Sequence, residues 1–235
     1  MQQQGGQQGR GGPSGMGQSG GICNDGLNAQ GNAGGLDSAR FDRLRVRYER
    51  YKPVSHTLPD GRTQWYEVVY LPKGGVNWVQ AKAVAERAGG YLVTFHSREE
   101  NLFVFNLIKD ERFWFKWDSS HNYVMNGPFI GAFQPDGARE PSGGWTWVSG
   151  EPMTYENWAY DGQPGDRDPR PNYQPNDSMG NSNVAAFGEV NDPTPAWGDF
   201  PHRFSSYRDS FDNKGGPSGA KGAAHGFIIE YDRQP

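Results

Sequence analysis

Helical periodicity of apolar residues is confined to two segments in the first half of the chain. Asn77 followed by Gln80 has the spacing of a capping box, which predicts a helix that begins at Trp78. The Gly89-Gly90 pair predicts its end, because glycine readily adopts the left-handed conformation that terminates helices. The face of this helix that we expect to be buried consists of Trp78, Ala81, Ala85 and Ala88.

A second helix is predicted soon after the first. Ser97 and Glu100 have the same capping-box spacing and place its start near residue 98. The capping role also accounts for the adjacent carboxylates of Glu99 and Glu100, which would otherwise resemble a catalytic pair. The stripe that we expect this helix to bury consists of Leu102, Phe105 and Ile108.

Short segments rich in aromatic and β-branched residues predict strands elsewhere. They cover Trp65–Leu71, Tyr91–Thr94, Phe129–Ala132, Trp145–Val148, Val184–Phe187 and Phe227–Tyr231. Trp145 and Trp147 alternate, so we expect both rings on one face of a strand, in the core. The connections 157–183 and 198–225 exceed the roughly 12–15 residues that irregular loops in compact domains usually reach, which indicates a binding function. The pattern predicts an α+β fold.

The N-terminal part of the chain has a different character. Gly and Gln make up half of residues 1–40, so this arm buries too little apolar surface to fold alone. In the segment 41–61, Leu44, Val46 and Tyr48 alternate with three arginines, which predicts a half-buried strand followed by a linker. The arginine row Arg43, Arg45 and Arg47 either shields a strand edge or meets an acidic partner surface. Residues 62–234 are then the folded domain.

Composition narrows the class of protein further. The net charge of −4 argues against nucleic acid as a partner, and no apolar run is long enough to span a membrane. The N-terminus lacks the pattern of a secretory signal, so placement outside the cell or on a cell or virion surface would require a removed signal or another export route. Cys23 is the single cysteine, which excludes a disulfide within the chain.

The order of these short motifs resembles that of the C-type lectin-like domain, in the cysteine-poor form found in bacteria and viruses. The matching residues are Trp78 with its alanines, Gly89 to Leu92, Ser97 to Asn101, Phe129 to Gly131, Trp145 to Trp147, Tyr155 to Trp158, Trp197 to Asp199 and Phe227 to Tyr231. The resemblance implies two helices, short antiparallel sheets and long loops, preceded here by the Gly/Gln-rich arm. It also implies that the first and last strands of the domain pair with each other.

In members of that family that bind sugar, a calcium ion is held by a Glu-Pro-Asn or Gln-Pro-Asp tripeptide and by carboxylates downstream. Gln174-Pro175-Asn176 matches the tripeptide better than Gln163-Pro164-Gly165 does, because its spacing to the next strand is the family's. The resemblance makes Gln174, Asn176 and Asp199 candidate calcium ligands. The family's glutamate falls on Ser182 or Asn183, so one charged ligand is missing, and charged ligands govern calcium affinity. The same tripeptide is also an ordinary turn sequence.

Other residues of this long loop complete the candidate site. Asp177, Asp166 or Asp168 could replace the missing carboxylate, and Trp158 and Tyr160 are expected to be exposed aromatics that stack on a ligand. The candidate ligand-binding residues are Gln174, Asn176, Asp177, Asn183, Asp199, Trp158 and Tyr160. The histidines, His56, His96, His121, His202 and His225, form no pair with metal-ligand spacing, and no nucleophile motif is present, so we expect no enzymatic activity.

Two functions follow from the sequence. The first is a non-enzymatic recognition module that binds a glycan or protein ligand through the 157–200 region, with or without calcium. The second is a structural or decoration subunit of a virion or filament, which associates with itself or with a shell protein through residues 1–52.

Overall fold

The computed structural model describes residues 48–72, 77–118, 123–135, 137–166, 173–177, 180, 182–200 and 225–235. The Gly/Gln-rich arm with Cys23, the row Arg43, Arg45 and Arg47, and Asp168 lie outside the described residues. The helices are α1 (Trp78–Arg87) and α2 (Arg98–Ile108), followed by a 3-10 turn (Glu111–Phe113). The strands are β1 (Glu49–Arg50), β2 (Val54–Thr57), β3 (Thr63–Tyr70), β4 (Tyr91–Leu92), β5 (Phe115–Asp118), β6 (Tyr123–Phe133), β7 (Thr146–Trp147), β8 (Val184–Val190), β9 (Trp197–Phe200) and β10 (Gly226–Tyr231).

The first long strand and the last strand pair, as expected from the sequence. β3 and β10 are antiparallel, with Val68 opposite Ile228. β10 also pairs with the central strand β6, in parallel at Phe227 and Phe129, and β8 and β9 continue the sheet beyond β6. The expected short antiparallel sheets are therefore joined into one sheet with a parallel pairing at its centre. β1 and β2, within the segment 41–61, pair with β3.

Both faces of the sheet are covered, because alternate residues of a strand point to opposite sides. Val68 and Ile228 belong to one cluster of buried side chains, which includes Val104 of α2. Val69 and Ile229 belong to a second cluster, which includes the buried face of α1. The long loops thus rest on a scaffold that is buried on two sides.

Helix α1 follows the sequence prediction closely. The Asn77 side chain accepts a hydrogen bond from the Gln80 amide, and the Gln80 side chain accepts one from the Asn77 amide, which completes the capping box. Trp78 is fully buried, and its indole N–H donates to the backbone oxygen of Ile130 at 2.7 Å. Gly89 ends the helix with φ of +86°.

Helix α2 departs from the prediction in its cap and in its buried face. Ser97 caps the Glu100 amide, but the Glu100 carboxylate accepts from the His96 amide and from the Tyr66 hydroxyl instead of closing a capping box. The buried side chains are Glu100, Asn101, Val104 and Ile108, whereas Leu102 and Phe105 are half-buried. The predicted stripe is confirmed for Ile108 alone, because a polar network, which periodicity cannot detect, turns Glu100 and Asn101 inward.

An aromatic cluster lies between the sheet and the long loop. Trp147 and Trp197 are buried and meet edge to face, with ring centroids 5.6 Å apart. Trp145 is only half-buried, because β7 contains just Thr146 and Trp147, and its ring packs on Trp158 at 4.7 Å. The expectation that both tandem tryptophans are core residues holds for Trp147 alone.

Candidate functional site

Asp199 lies on strand β9, opposite Ala185 of β8, and not in a loop as the sequence suggested. Its side chain is almost fully buried, and both carboxylate oxygens are engaged. Oδ1 accepts a hydrogen bond from the Asn176 amide and Oδ2 accepts one from the Asp177 amide, each at 2.8 Å. The strand therefore holds the candidate tripeptide through its backbone.

Further hydrogen bonds fix the same loop from the other side. The Gln174 amide donates to the backbone oxygen of Ala159 at 2.9 Å, and the Gln174 side-chain oxygen accepts from the Asp199 amide at 3.4 Å. Asp177 has φ of 44°, and its carboxylate accepts from the Ser182 amide at 2.8 Å. Gln174, Asn176, Asp177 and Asp199 thus form one hydrogen-bonded unit.

The remaining candidate residues lie apart from this unit. The Asn183 side chain donates to Glu140 at 3.3 Å. Trp158 is half-buried between Trp145 and Trp197, so the expectation that it is exposed was wrong. The competing segment forms a turn of its own, in which the Gln163 side-chain oxygen accepts from the Tyr160 amide at 3.2 Å.

The described residues do not fit the calcium site that the family resemblance implied. Calcium takes 6–8 oxygen ligands, several of them charged. Asp199 offers a carboxylate whose two oxygens already accept amide hydrogens, and the Gln174 side-chain oxygen is turned to the Asp199 amide. Asp199 is also the single carboxylate among the three candidate ligands, fewer than calcium usually takes.

The protonation of Asp199 follows from the same geometry. Burial raises the pKa of Asp199 to about 6, although the hydrogen bonds from the Asn176 and Asp177 amides lower it and the nearby Asp177 carboxylate raises it. The Asp199 carboxylate acts as a buried acceptor for amides of the loop backbone. Coordination of calcium by the same oxygens would compete with these hydrogen bonds.

Two tyrosines are exposed on the described part of the long loop. Tyr160 is 53% exposed and Tyr173 is 63% exposed, and the third large exposed apolar side chain of the described residues, Val54, lies elsewhere. The hydrogen bond between Gln174 and Ala159 joins the chain positions next to the two tyrosines. Tyr160 was among the candidates from the sequence and Tyr173 was not, although an aromatic residue within a polar loop is itself a signal of exposure.

A groove of about 480 Å³ adjoins this loop, between the start of α2 and the segments 155–165 and 192–196. Its lining includes Arg98, Tyr155, Tyr160, Gln163 and Asp192. Its floor is fixed by the side chains of Asn101 and Asn157, which both donate to the backbone oxygen of Pro195, at 2.9 and 2.8 Å. This groove could not be foreseen from the sequence, since it combines three segments that are distant in the chain.

Two further buried carboxylates belong to the scaffold, Glu100 on α2 and Glu230 on β10. Glu230 accepts hydrogen bonds from the amide and hydroxyl of Thr94, and Glu100 accepts from Tyr66 and His96. Burial raises the pKa of Glu230 well above its ordinary value, and the Glu100 carboxylate raises it further. Because their oxygens are occupied by backbone and hydroxyl donors, both residues serve the fold, and capping alone does not explain Glu100.

Comparison with known proteins agrees with the fold. The model of the lectin C-type domain family matches residues 75–194. Among solved structures, the cow carbohydrate-recognition domain of CD23 is 21% identical with a TM-score of 0.40, covering 72% of this chain and 87% of that chain. The mouse scavenger receptor C-type lectin domain is 19% identical (TM-score 0.42, covering 77% and 95%), and herring type II antifreeze protein is 15% identical (TM-score 0.43, covering 72% and 90%). No curated protein matches the sequence.

Proposed function

Because this chain belongs to the C-type lectin domain family, we propose that it is a recognition module that binds a glycan or protein ligand through the 157–200 region. Domains of this family commonly bind glycans or proteins and are generally not enzymes. The described part of the loop offers a fixed backbone and exposed aromatic side chains, which are the features that a binding surface requires.

The observation that carries the proposal is the pair of exposed tyrosines on a pinned loop. Tyr160 and Tyr173 flank the hydrogen bond between Ala159 and Gln174, and Asp199 holds the next two amides. A tyrosine ring offers an apolar face for a sugar or a protein side chain, together with a hydroxyl group. Because the described ends of this loop are held by hydrogen bonds before binding, less conformational entropy is lost there when the ligand binds.

C-type lectin domains often bind calcium, but we assign no calcium ion to Gln174, Asn176 and Asp199. The amides of Asn176 and Asp177 donate to the Asp199 carboxylate, which supports this proposal, since the carboxylate already stabilises the loop. Ligand contact through the tyrosines does not depend on a metal ion.

The proposed place of action is outside the cell or on a cell or virion surface, as is usual for this family. Among the described residues, no helix is both long and apolar enough to cross a membrane. The alternative role as a structural subunit assigned self-association or shell binding to residues 1–52, of which the structure describes only 48–52. It stays a prediction from sequence.

A glycan array and a pull-down with the full chain test the proposal. The variant Tyr160→Ala/Tyr173→Ala is expected to lose the binding that the wild-type chain shows, since each ring is a candidate contact of roughly 1–2 kcal/mol. Val54→Ala, which removes an exposed apolar side chain far from the loop in sequence, is the matched control and keeps full binding. Ligand binding that survives the double variant would contradict the assignment of the surface.

A further inference from the structure

The outer edge of β2 has no strand beside it within the described part of the chain, since β2 pairs with β3 alone. The amide of Leu58 donates to the backbone oxygen of Arg62 at 2.7 Å, which sets the alternation of the ladder. The backbone amides and carbonyl oxygens of Ser55 and Thr57 therefore point away from β3. The hydroxyl oxygens of Thr57 and Thr63 lie 3.3 Å apart, as expected of side chains in a pair without mutual backbone bonds.

The side chains of β2 do not block this edge. Val54 is 38% exposed, and Ser55 and Thr57 are exposed as well. His56 is half-buried, and its ring stacks on Phe103 of α2 with the centroids 4.4 Å apart. Natural sheets usually protect an open edge with a charged residue or a proline inside the strand, and β2 contains neither. The edge therefore offers a free template for a further strand.

The backbone pattern of this edge is complementary to itself. If β2 of a second copy lies antiparallel about a two-fold axis at His56, then Ser55 of each copy faces Thr57 of the other. Each of these pairs exchanges both of its backbone hydrogen bonds. The next outward positions are Pro53 and Pro59, which face each other across the axis. Because neither proline has an N–H to donate, the ladder ends at the same place in both copies.

The charges next to β2 are complementary in the same register, which brings Lys52 of each copy beside Asp60 of the other. Lys52 is exposed, and among the described residues no carboxylate forms an ion pair with it. Asp60 is exposed and pairs with Arg62, which also pairs with Glu151. Two carboxylates and one guanidinium leave this group with a net negative charge. Lys52 of the second copy is therefore attracted at both ends of the paired strands.

We propose that the β2 edge is an interface for a second copy of this chain, which joins the two sheets through Ser55 and Thr57 into one continuous sheet. The occupant is a second copy because backbone donors, prolines and charges all match under one two-fold axis. The axis is perpendicular to the sheet, so the α2 helices of both copies lie on the same side of it. This inference goes beyond the recognition function and does not depend on it.

Sedimentation equilibrium of the full chain without any ligand tests the association. The paired segment is short, so we expect a reversible dimer with a dissociation constant on the order of 100 µM, typical of a small interface. Amide hydrogen exchange by NMR, at concentrations below and above that value, locates the contact. The Ser55 and Thr57 amides should exchange more slowly as the dimer forms. The His56 amide already faces β3, and its exchange should stay unchanged.

Two charge reversals test the two-fold register. Lys52→Glu and Asp60→Lys should each weaken self-association by roughly tenfold, because both symmetric contacts become like-charged. An equimolar mixture of the two variants should associate about as tightly as the wild type, since each contact then joins opposite charges again. Arg139→Glu, an exposed residue in the loop after β6, is the control for net charge and should associate as the wild type does. Unchanged melting temperatures verify that the variants are folded.

A chain that stays monomeric at several times the expected dissociation constant would overturn the proposal. A dimer in which the Ser55 and Thr57 amides exchange as fast as in the monomer would overturn it too, because another surface would then hold the copies together. Association that neither charge reversal alters, or a mixture that associates no better than each variant alone, would exclude the two-fold register. None of these outcomes bears on the recognition function, which the glycan array and the pull-down test separately.

Discussion

Replacing Asp199 by asparagine changes the acceptor that holds the long loop without changing its size. The asparagine keeps one oxygen for the Asn176 or Asp177 amide but places an NH₂ group against the other amide. Losing one partner of a buried hydrogen bond costs about 1–3 kcal/mol. We therefore expect Asp199→Asn to be less stable than the wild type, and the size of the difference to depend on pH.

The sign of the pH dependence follows from the raised pKa. The pKa of Asp199 is about 6 in the folded chain and 3.8 for an unperturbed aspartate. The folded state therefore binds the proton more tightly, and the stability that protonation provides is lost as pH rises through 6. At pH 4.5 proton binding to Asp199 stabilises the folded state by a factor of about 33 and the unfolded state by a factor of about 1.2. The ratio of the two factors corresponds to about 2 kcal/mol in the free energy of unfolding. At pH 7 this contribution is close to zero.

Asparagine does not titrate, so the variant lacks this contribution at every pH. Its deficit in the free energy of unfolding should be about 2 kcal/mol larger at pH 4.5 than at pH 7. Urea unfolding followed by tryptophan fluorescence at both pH values measures it, and the shared titrations of Glu230 and Glu100 cancel in the difference. Asp161→Asn, an exposed position on the same loop, is the control and should follow the wild type. A deficit that does not change with pH, or that grows toward pH 7, would refute the reasoning.

Three further predictions concern the loop and the buried scaffold. Several millimolar calcium, or EDTA, should leave the unfolding midpoint at pH 7 unchanged, because the Asp199 oxygens already accept amide hydrogens; a calcium-dependent rise would contradict this. Glu230→Gln keeps an acceptor for Thr94 and removes a buried charge, so in urea unfolding its stability relative to wild type should increase as the pH rises above 4.5, the ordinary pKa of a glutamate, since the raised pKa makes ionisation costly; a decrease would contradict it. Gly90→Ala should lower the free energy of unfolding by about 1–3 kcal/mol, because its Cβ would overlap the Glu230 backbone oxygen. Gly89→Ala, whose Cβ meets no atom, carries only the strain of its positive φ and should cost less.

The elements that the sequence predicted well are those determined by residues close together in the chain. The capping box of Asn77 and Gln80 and the helix end at Gly89 depend on hydrogen bonds and dihedral angles within a few residues. The pairing of the first and last strands of the domain was also predicted, through the resemblance to the family, and is confirmed by β3 and β10.

The face of α2, the burial of Trp158 and the role of Asp199 could not be obtained in this way. Each depends on a partner far along the chain: Glu100 on Tyr66, Trp158 on Trp197, and Asp199 on Asn176. Only the packed sheet decides whether a carboxylate meets a tyrosine, an amide or a metal ion, because the hydrogen-bond partners of a buried polar group are set by tertiary contacts. The sequence by itself determined the cap and the end of α1, the strands β3, β6, β8 and β10, and the position of the long loop. The tertiary structure decided that Asp199 holds the backbone of that loop and that Tyr160 and Tyr173 are left exposed on its surface.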